Sequence, residues 1–189
     1  MSTLKLSQPR GFYVLSFGEL CERFSYYGAQ TLLVLYLTTK FSLTDDKSYS
    51  LYGAYAAFSY ALPVLGGLLA DRLLGLKKTL IIGGLFLIAG NLLMSIPHLN
   101  AFYAGLSLTA CGIGLYKPNS SSMIGKLYGV QDDRRESGFT LFYIGMNIGA
   151  TISPFVYGLA GKWGYHYSYL FSAAILFVGW IFFLSVQYI

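Results

Sequence analysis

Charge is what this sequence has least of. Asp, Glu, Lys and Arg make up 11% of the 189 residues, against roughly 25% in an average soluble domain. That leaves too few charges to cover a water-facing surface. Thirteen basic and eight acidic residues give a net charge of +5. The basic ones are scattered between apolar runs and form no stripe, which excludes a nucleic-acid binder. Cysteine is nearly absent. Cys21 and Cys111 each lie inside an apolar run, give no disulfide framework and no metal-ligand spacing, and read as two small buried thiols. Histidine is limited to His98 and His166, both expected in short loops. No nucleophile–His–acid grouping is present, and the Gly112/Gly114 pair has neither the spacing nor the Lys-Ser/Thr ending of a phosphate loop. The chain therefore does not read as an enzyme, and no cofactor is expected.

Long hydrophobic runs are what it has. A helix crossing the hydrocarbon needs about 20 mainly apolar residues, and six segments qualify: roughly 11–38, 49–69, 79–96, 101–123, 138–159 and 167–189. The first run is too long for a signal peptide and counts as a span. None alternates apolar and polar residues as barrel strands do. The fold class is an all-α transmembrane bundle of six helices, without a second domain in 1–189. Many of the 22 glycines fall within the spans, where small residues let helices approach closely. Gly66-Gly67, Gly83-Gly84 and the Gly145/Gly149 pair are the expected contact points.

Loop charges orient the bundle. One side carries Lys5, Arg10, Arg72, Lys77, Lys78, Lys126, Arg134 and Arg135, eight basic residues, and the other carries three, Lys40, Lys47 and Lys162. The first side should face the cytoplasm, with both termini there. Residues 132–136, mixed in charge, read as a solvated turn or interfacial helix.

Ionisable groups inside spans are costly and usually face an aqueous cavity or the bundle interior. Glu19, Glu22 and Arg23 lie well inside the first span. At 3.6 residues per turn they share a broad face with Tyr27 and Gln30, and Glu19 and Arg23 are an i,i+4 pair. The group suits either proton or substrate coupling or a static ion-pair network. Lys117 ends an apolar stretch just before Pro118, a residue able to kink the helix. It either points into a cavity to meet a carboxylate, of a substrate or of Glu22, or snorkels to the interface. Asn147 and Tyr60, both mid-span, need hydrogen-bond partners, across helices or on a polar ligand. Asp71 and Arg72, with Gly75, Lys77 and Lys78, fill a tight turn that serves gating or anchors topology.

The run Glu19-Leu20-Cys21-Glu22-Arg23-Phe24-Ser25-Tyr26-Tyr27-Gly28 resembles the first-helix signature, E-x-x-E-R-F-x-Y-Y, of the proton-dependent oligopeptide transporters of the major facilitator superfamily. Gly66 to Arg72, Tyr116-Lys117-Pro118-Asn119 and Phe142 to Gly149 resemble the family's second, fourth and fifth helices in order. The resemblance implies proton-driven import of di- and tripeptides, with protons as the coupling ion. It assigns Glu19, Glu22 and Arg23 to proton coupling. Lys117 matches the lysine that engages the second glutamate or the peptide carboxylate, and Tyr27, Tyr60 and Asn147 match cavity residues. Gln30 stands where many members carry a peptide-binding arginine, although some bacterial members have glutamine. That variant and the short loops point to a bacterial inner membrane. Family members have twelve core helices, and the resemblance covers the first six. The implied partner is a second six-helix bundle, and the chain is expected to be a fragment, a truncated product or one part of a split protein. The alternatives are a related facilitator of another small anion, such as nitrate or an amino-acid conjugate, and an inactive six-helix membrane protein.

Overall fold

The computed structural model describes residues 7–129 and 131–185. They form six helices: α1 (Arg10–Phe41), α2 (Asp45–Leu69), α3 (Leu76–Ser95), α4 (Leu99–Lys126), α5 (Arg134–Gly161) and α6 (Tyr165–Ser185). The expected sixth span reached residue 189, and its last four residues, like Lys5, lie outside the described set. Several helices run a turn beyond the apolar runs. α2 starts at Asp45, α4 ends at Lys126 and α5 starts at Arg134. The backbone ladder needs no apolar side chain, so helices continue through the headgroup region where charges are wet. Residues 132–136 thus divide between a turn and the first turn of α5. There Arg134 holds Asp132 through two side-chain bonds of 3.0 and 2.9 Å and donates to the Ser7 carbonyl at 3.2 Å. Beside it Tyr128 donates to Gln8 at 2.8 Å, and Gln8 donates to Ser137 at 3.1 Å.

Five helical stretches, all but α1, are long and apolar enough to cross a membrane by length and composition. α1 misses that measure because Glu19, Glu22 and Arg23 interrupt its first half and polar residues such as Gln30 and Lys40 lower its second. Its 32 residues would reach about 48 Å at 1.5 Å per residue, well beyond a hydrocarbon core of about 30 Å.

The helices pack in two interlocked triplets. α4 lies against α2 and α3, α1 lies against α5 and α6, and α3 against α6 joins them. Exchanging α1, α2, α3 for α4, α5, α6 maps these pairings onto themselves. A shift of three spans reverses direction across a membrane, so this is the pattern of an inverted three-plus-three repeat.

Lipid tails are as apolar as leucine, so packing between such helices depends on close approach more than on burial. Gly66 of α2 lies against the carbonyl of Gly114 in α4, where a side chain would collide with backbone. Pro118 lies four residues past Gly114 inside α4. It lacks the N–H that would occupy that carbonyl, which is left to face α2. α4 nevertheless runs unbroken through Pro118. Gly83 meets the α4 backbone near Gly112 and Tyr116, Gly84 admits the Trp180 ring, and Gly149 lies against the Leu20 carbonyl. Gly67 and Gly145, the other expected contact points, face open space. Gly66-Gly67 and Gly145/Gly149 thus each hold one packing glycine, whereas Gly83 and Gly84 both pack, against different helices. Gly75, at φ 77°, is the single residue between a π-helical turn (Ala70–Leu74) and α3, and its N–H returns to the Ala70 carbonyl at 2.9 Å.

Candidate functional site

The polar centre lies between α1 and α4. Glu19, Glu22 and Arg23 are buried, at 0%, 1% and 7% exposure. Glu19 and Arg23 stand one turn apart, so both guanidinium edge nitrogens reach one carboxylate oxygen. Arg23 Nε and Nη2 donate to Glu19 Oε1 at 3.1 and 2.8 Å. The other oxygen, Oε2, accepts from Ser120 Oγ of α4 at 2.5 Å. Glu22 is placed differently. Its Oε2 is 3.4 Å from Arg23 Nε, and neither of its buried carboxyl oxygens accepts a hydrogen bond. Two carboxylates thus flank one arginine, one fully engaged and one held by charge alone.

Lys117 is half-buried on α4, with Nζ 5.2 Å from the centroid of the Tyr60 ring of α2. That is the geometry of a cation–π contact. Among the described residues Lys117 makes no ion pair, with Glu22 or any other carboxylate. Tyr60 is 70% exposed and Tyr27 39% exposed. Gln30 donates to the Tyr26 hydroxyl at 2.8 Å, and the Tyr26 ring meets Tyr27 edge-on at 5.2 Å between centroids. Asn147 is exposed and its amide turns back to the Tyr143 carbonyl of its own helix at 2.8 Å. Of the partners expected for it, across helices or on a polar ligand, its amide meets neither here, since an i−4 carbonyl lies within reach.

Asp71 and Arg72 are exposed on the π-helical turn and, among the described residues, form no ion pair. Cys111 is exposed and only Cys21 is buried, which corrects the reading of two buried thiols. Apolar surroundings in a span do not imply a packed position. His98 caps the start of α4 on the surface, whereas His166 lies in the first turn of α6 with its ring 4.0 Å from that of Tyr167.

Two contributors were not singled out from the sequence. Ser120 supplies the third bond to Glu19, from 101 positions away. Asn119 is 2% exposed and donates to the Gly66 carbonyl at 3.2 Å and to the Leu115 carbonyl at 2.7 Å. It ties α2 to α4. Both follow Lys117-Pro118, Asn119 inside the run already noted and Ser120 just after it, but near a span end neither stands out as a polar group at membrane depth.

Outside the spans, burial pushes the Tyr128 phenol above its ordinary range despite Arg134 nearby. The Arg134 guanidinium is raised by its hydrogen bonds to Asp132.

The family description Major Facilitator Superfamily matches residues 15–188. The chain is 39% identical over 182 residues to the uncharacterized transporter YclF of Bacillus subtilis, covering 93% of this chain and 37% of that protein. It is 38% identical over 177 residues to the di-/tripeptide transporter of Lactococcus lactis subsp. lactis, covering 89% of this chain and 35% of that one. The chain therefore spans little more than a third of the curated relatives it matches. A crystal structure of peptide transporter POT in complex with sulfate superposes at TM-score 0.92 with 37% identity, over 96% of this chain and 38% of the other. A POT family transporter in complex with 5-aminolevulinic acid gives 0.92 with 30% identity, over 97% and 39%.

Proposed function

Since the chain belongs to the major facilitator superfamily, among the peptide transporters of the POT family, we propose that it forms one bundle of a symporter that imports di- and tripeptides with protons. In this reading a second six-helix bundle faces Tyr27, Tyr60, Lys117 and Asn147, and closes the cavity they line. The short basic loops favour placing both termini in the cytoplasm.

The observation that carries the reading is the inequality of the two carboxylates. Glu19 accepts three hydrogen bonds from Arg23 and Ser120 across both of its oxygens, so it anchors the guanidinium. Glu22 accepts no hydrogen bond and has lone pairs open to a proton. With both carboxylates ionised and Arg23 charged, the three groups sum to −1. A proton on Glu22 cancels that charge and removes the attraction holding Arg23 at 3.4 Å. In a low-dielectric interior such a change alters the balance between Arg23 and Lys117. Lys117 is then the cation available to a peptide carboxylate, since Arg23 is already paired. Gln30 supports binding through an amide and adds no charge.

The test is acid-driven dipeptide uptake by the bundle assembled with its partner. Lys117→Ala and Glu22→Gln should each abolish accumulation, and normal uptake by either variant refutes the role assigned to it. A second reading, transport of another small anion, draws on the absence of a second binding arginine at Gln30 and on the relative crystallised with 5-aminolevulinic acid. Competition by dipeptides, free amino acids, 5-aminolevulinate and nitrate separates the two.

A further inference from the structure

α1 has a second face that the transport reading leaves unused. Phe17, Leu20, Cys21 and Phe24 point away from Glu19, Glu22, Arg23 and Gln30, the two sets lying about half a turn apart at 100° per residue. They form the floor of an apolar groove of about 600 Å³, walled by α5 at Ile152 and by α6 at Ile175 and Val178. A second groove of about 410 Å³ shares Phe17 and Val178 with it and continues past Ile181 and Phe182 to Ser185. On α6 the lining residues Phe171, Ala174, Ile175, Val178, Ile181, Phe182 and Ser185 follow a three-and-four spacing, one stripe about 21 Å long at 1.5 Å per residue. The α5 wall is also turned away from Asn147 and Tyr143, so the groove opens on the side opposite the cavity residues.

The charge at one end decides the occupant. α1 and α6 run in opposite directions, so Arg10 lies toward the Ser185 end. Seven residues before Phe17, it falls in line with Phe17 on the α1 stripe, with Tyr13 between them. Both are exposed, and Arg10 has no ion pair among the described residues. A basic group, then an aromatic ring, then an apolar channel follow the order of a phospholipid's phosphate, interface and acyl chain. We propose that this groove binds an anionic phospholipid of the leaflet on the Arg10 side, its acyl chain along Phe17, Val178 and Phe182 and its phosphate on Arg10. The inference rests on the chain spanning a membrane and is independent of what it transports.

Native mass spectrometry of the purified protein with equal amounts of dioleoyl phosphatidylglycerol and dioleoyl phosphatidylcholine tests it. Wild type should retain the anionic lipid about fivefold over the zwitterionic one, the factor for one basic residue at a lipid surface. Arg10→Gln should bring the two to parity. Val178→Trp, at a position 55% exposed, should fill the groove and lower retention of both lipids with helical content unchanged. Equal retention by wild type, a preference that survives Arg10→Gln, or retention unaffected by Val178→Trp overturns the proposal. So does a dimer of the chain that Val178→Trp dissociates, since a second copy would then be the occupant.

Discussion

Exchanging each glutamate of the buried triad for glutamine should give very unequal losses of stability. Glu19 makes three hydrogen bonds, at 3.1, 2.8 and 2.5 Å, two of them from a charged donor. Glu19→Gln removes the hydrogen-bonded partner of Arg23, leaves it only Glu22 at 3.4 Å, and offers an amide to donors already in place. Breaking a buried pair from one side costs about 3–5 kcal/mol when the remaining ion is left unpaired, and Glu22 at 3.4 Å brings the cost toward the lower end of that range. Glu22 makes no hydrogen bond, and its contact with Arg23 is 3.4 Å. Glu22→Gln loses only that longer attraction, and Glu19 still neutralises Arg23. Its cost should stay near 1 kcal/mol, within the range of an ordinary side-chain bond. Ser120→Ala should cost about as little as Glu22→Gln, since interhelical bonds of this kind in membranes average about 0.6 kcal/mol with a maximum of about 1.7. SDS titration of the bundle in mixed micelles, followed by helical circular dichroism, gives all three values. Equal losses for Glu19→Gln and Glu22→Gln, or a larger one for Glu22→Gln, would refute the division into anchor and proton acceptor.

Gly66→Ala should destabilise by about 1–3 kcal/mol, as overpacking does, because its methyl meets the Gly114 carbonyl. Gly67→Ala, facing open space, should be neutral or stabilising by up to about 1 kcal/mol, and the same titration compares them. Tyr128 has a raised pKa from burial. The unfolded phenol then ionises first, near pH 10, and stability falls as pH rises from there to the folded value. Melting curves of wild type and Tyr128→Phe between about pH 9 and pH 11 should show a steeper alkaline loss for wild type, and parallel curves contradict the assignment. In detergent, N-ethylmaleimide should modify Cys111 rapidly and Cys21 only after denaturation, which intact-mass measurement reads directly. Modification of Cys21 at the same rate would place it outside the core.

The helices were legible because apolar runs of spanning length leave few other folds, and the Glu19–Arg23 pair because i,i+4 spacing is local geometry. What escaped was tertiary. Ser120 reaches Glu19 across 101 residues, a pairing no local spacing encodes. Of Gly66-Gly67 only one packs, since which face of α2 meets α4 depends on where α4 lies. Cys111 lies in as apolar a run as Cys21 yet faces outward, because lipid and core demand the same residue types. Asn147 found a partner on its own helix, an option always open to a mid-span amide. The helix ends were underestimated for a different reason. Hydropathy marks the hydrocarbon, whereas the backbone ladder continues through Asp45, Lys126 and Arg134.

The central claim, that Glu22 couples protons to peptide movement, is tested most directly by comparing two fluxes. Proteoliposomes would hold this bundle together with the second bundle proposed to face it. Glu22→Gln should lose dipeptide accumulation driven by an inward proton gradient and retain counterflow exchange of labelled for unlabelled dipeptide, which needs no net proton transfer. Accumulation at the wild-type level in Glu22→Gln would contradict the account.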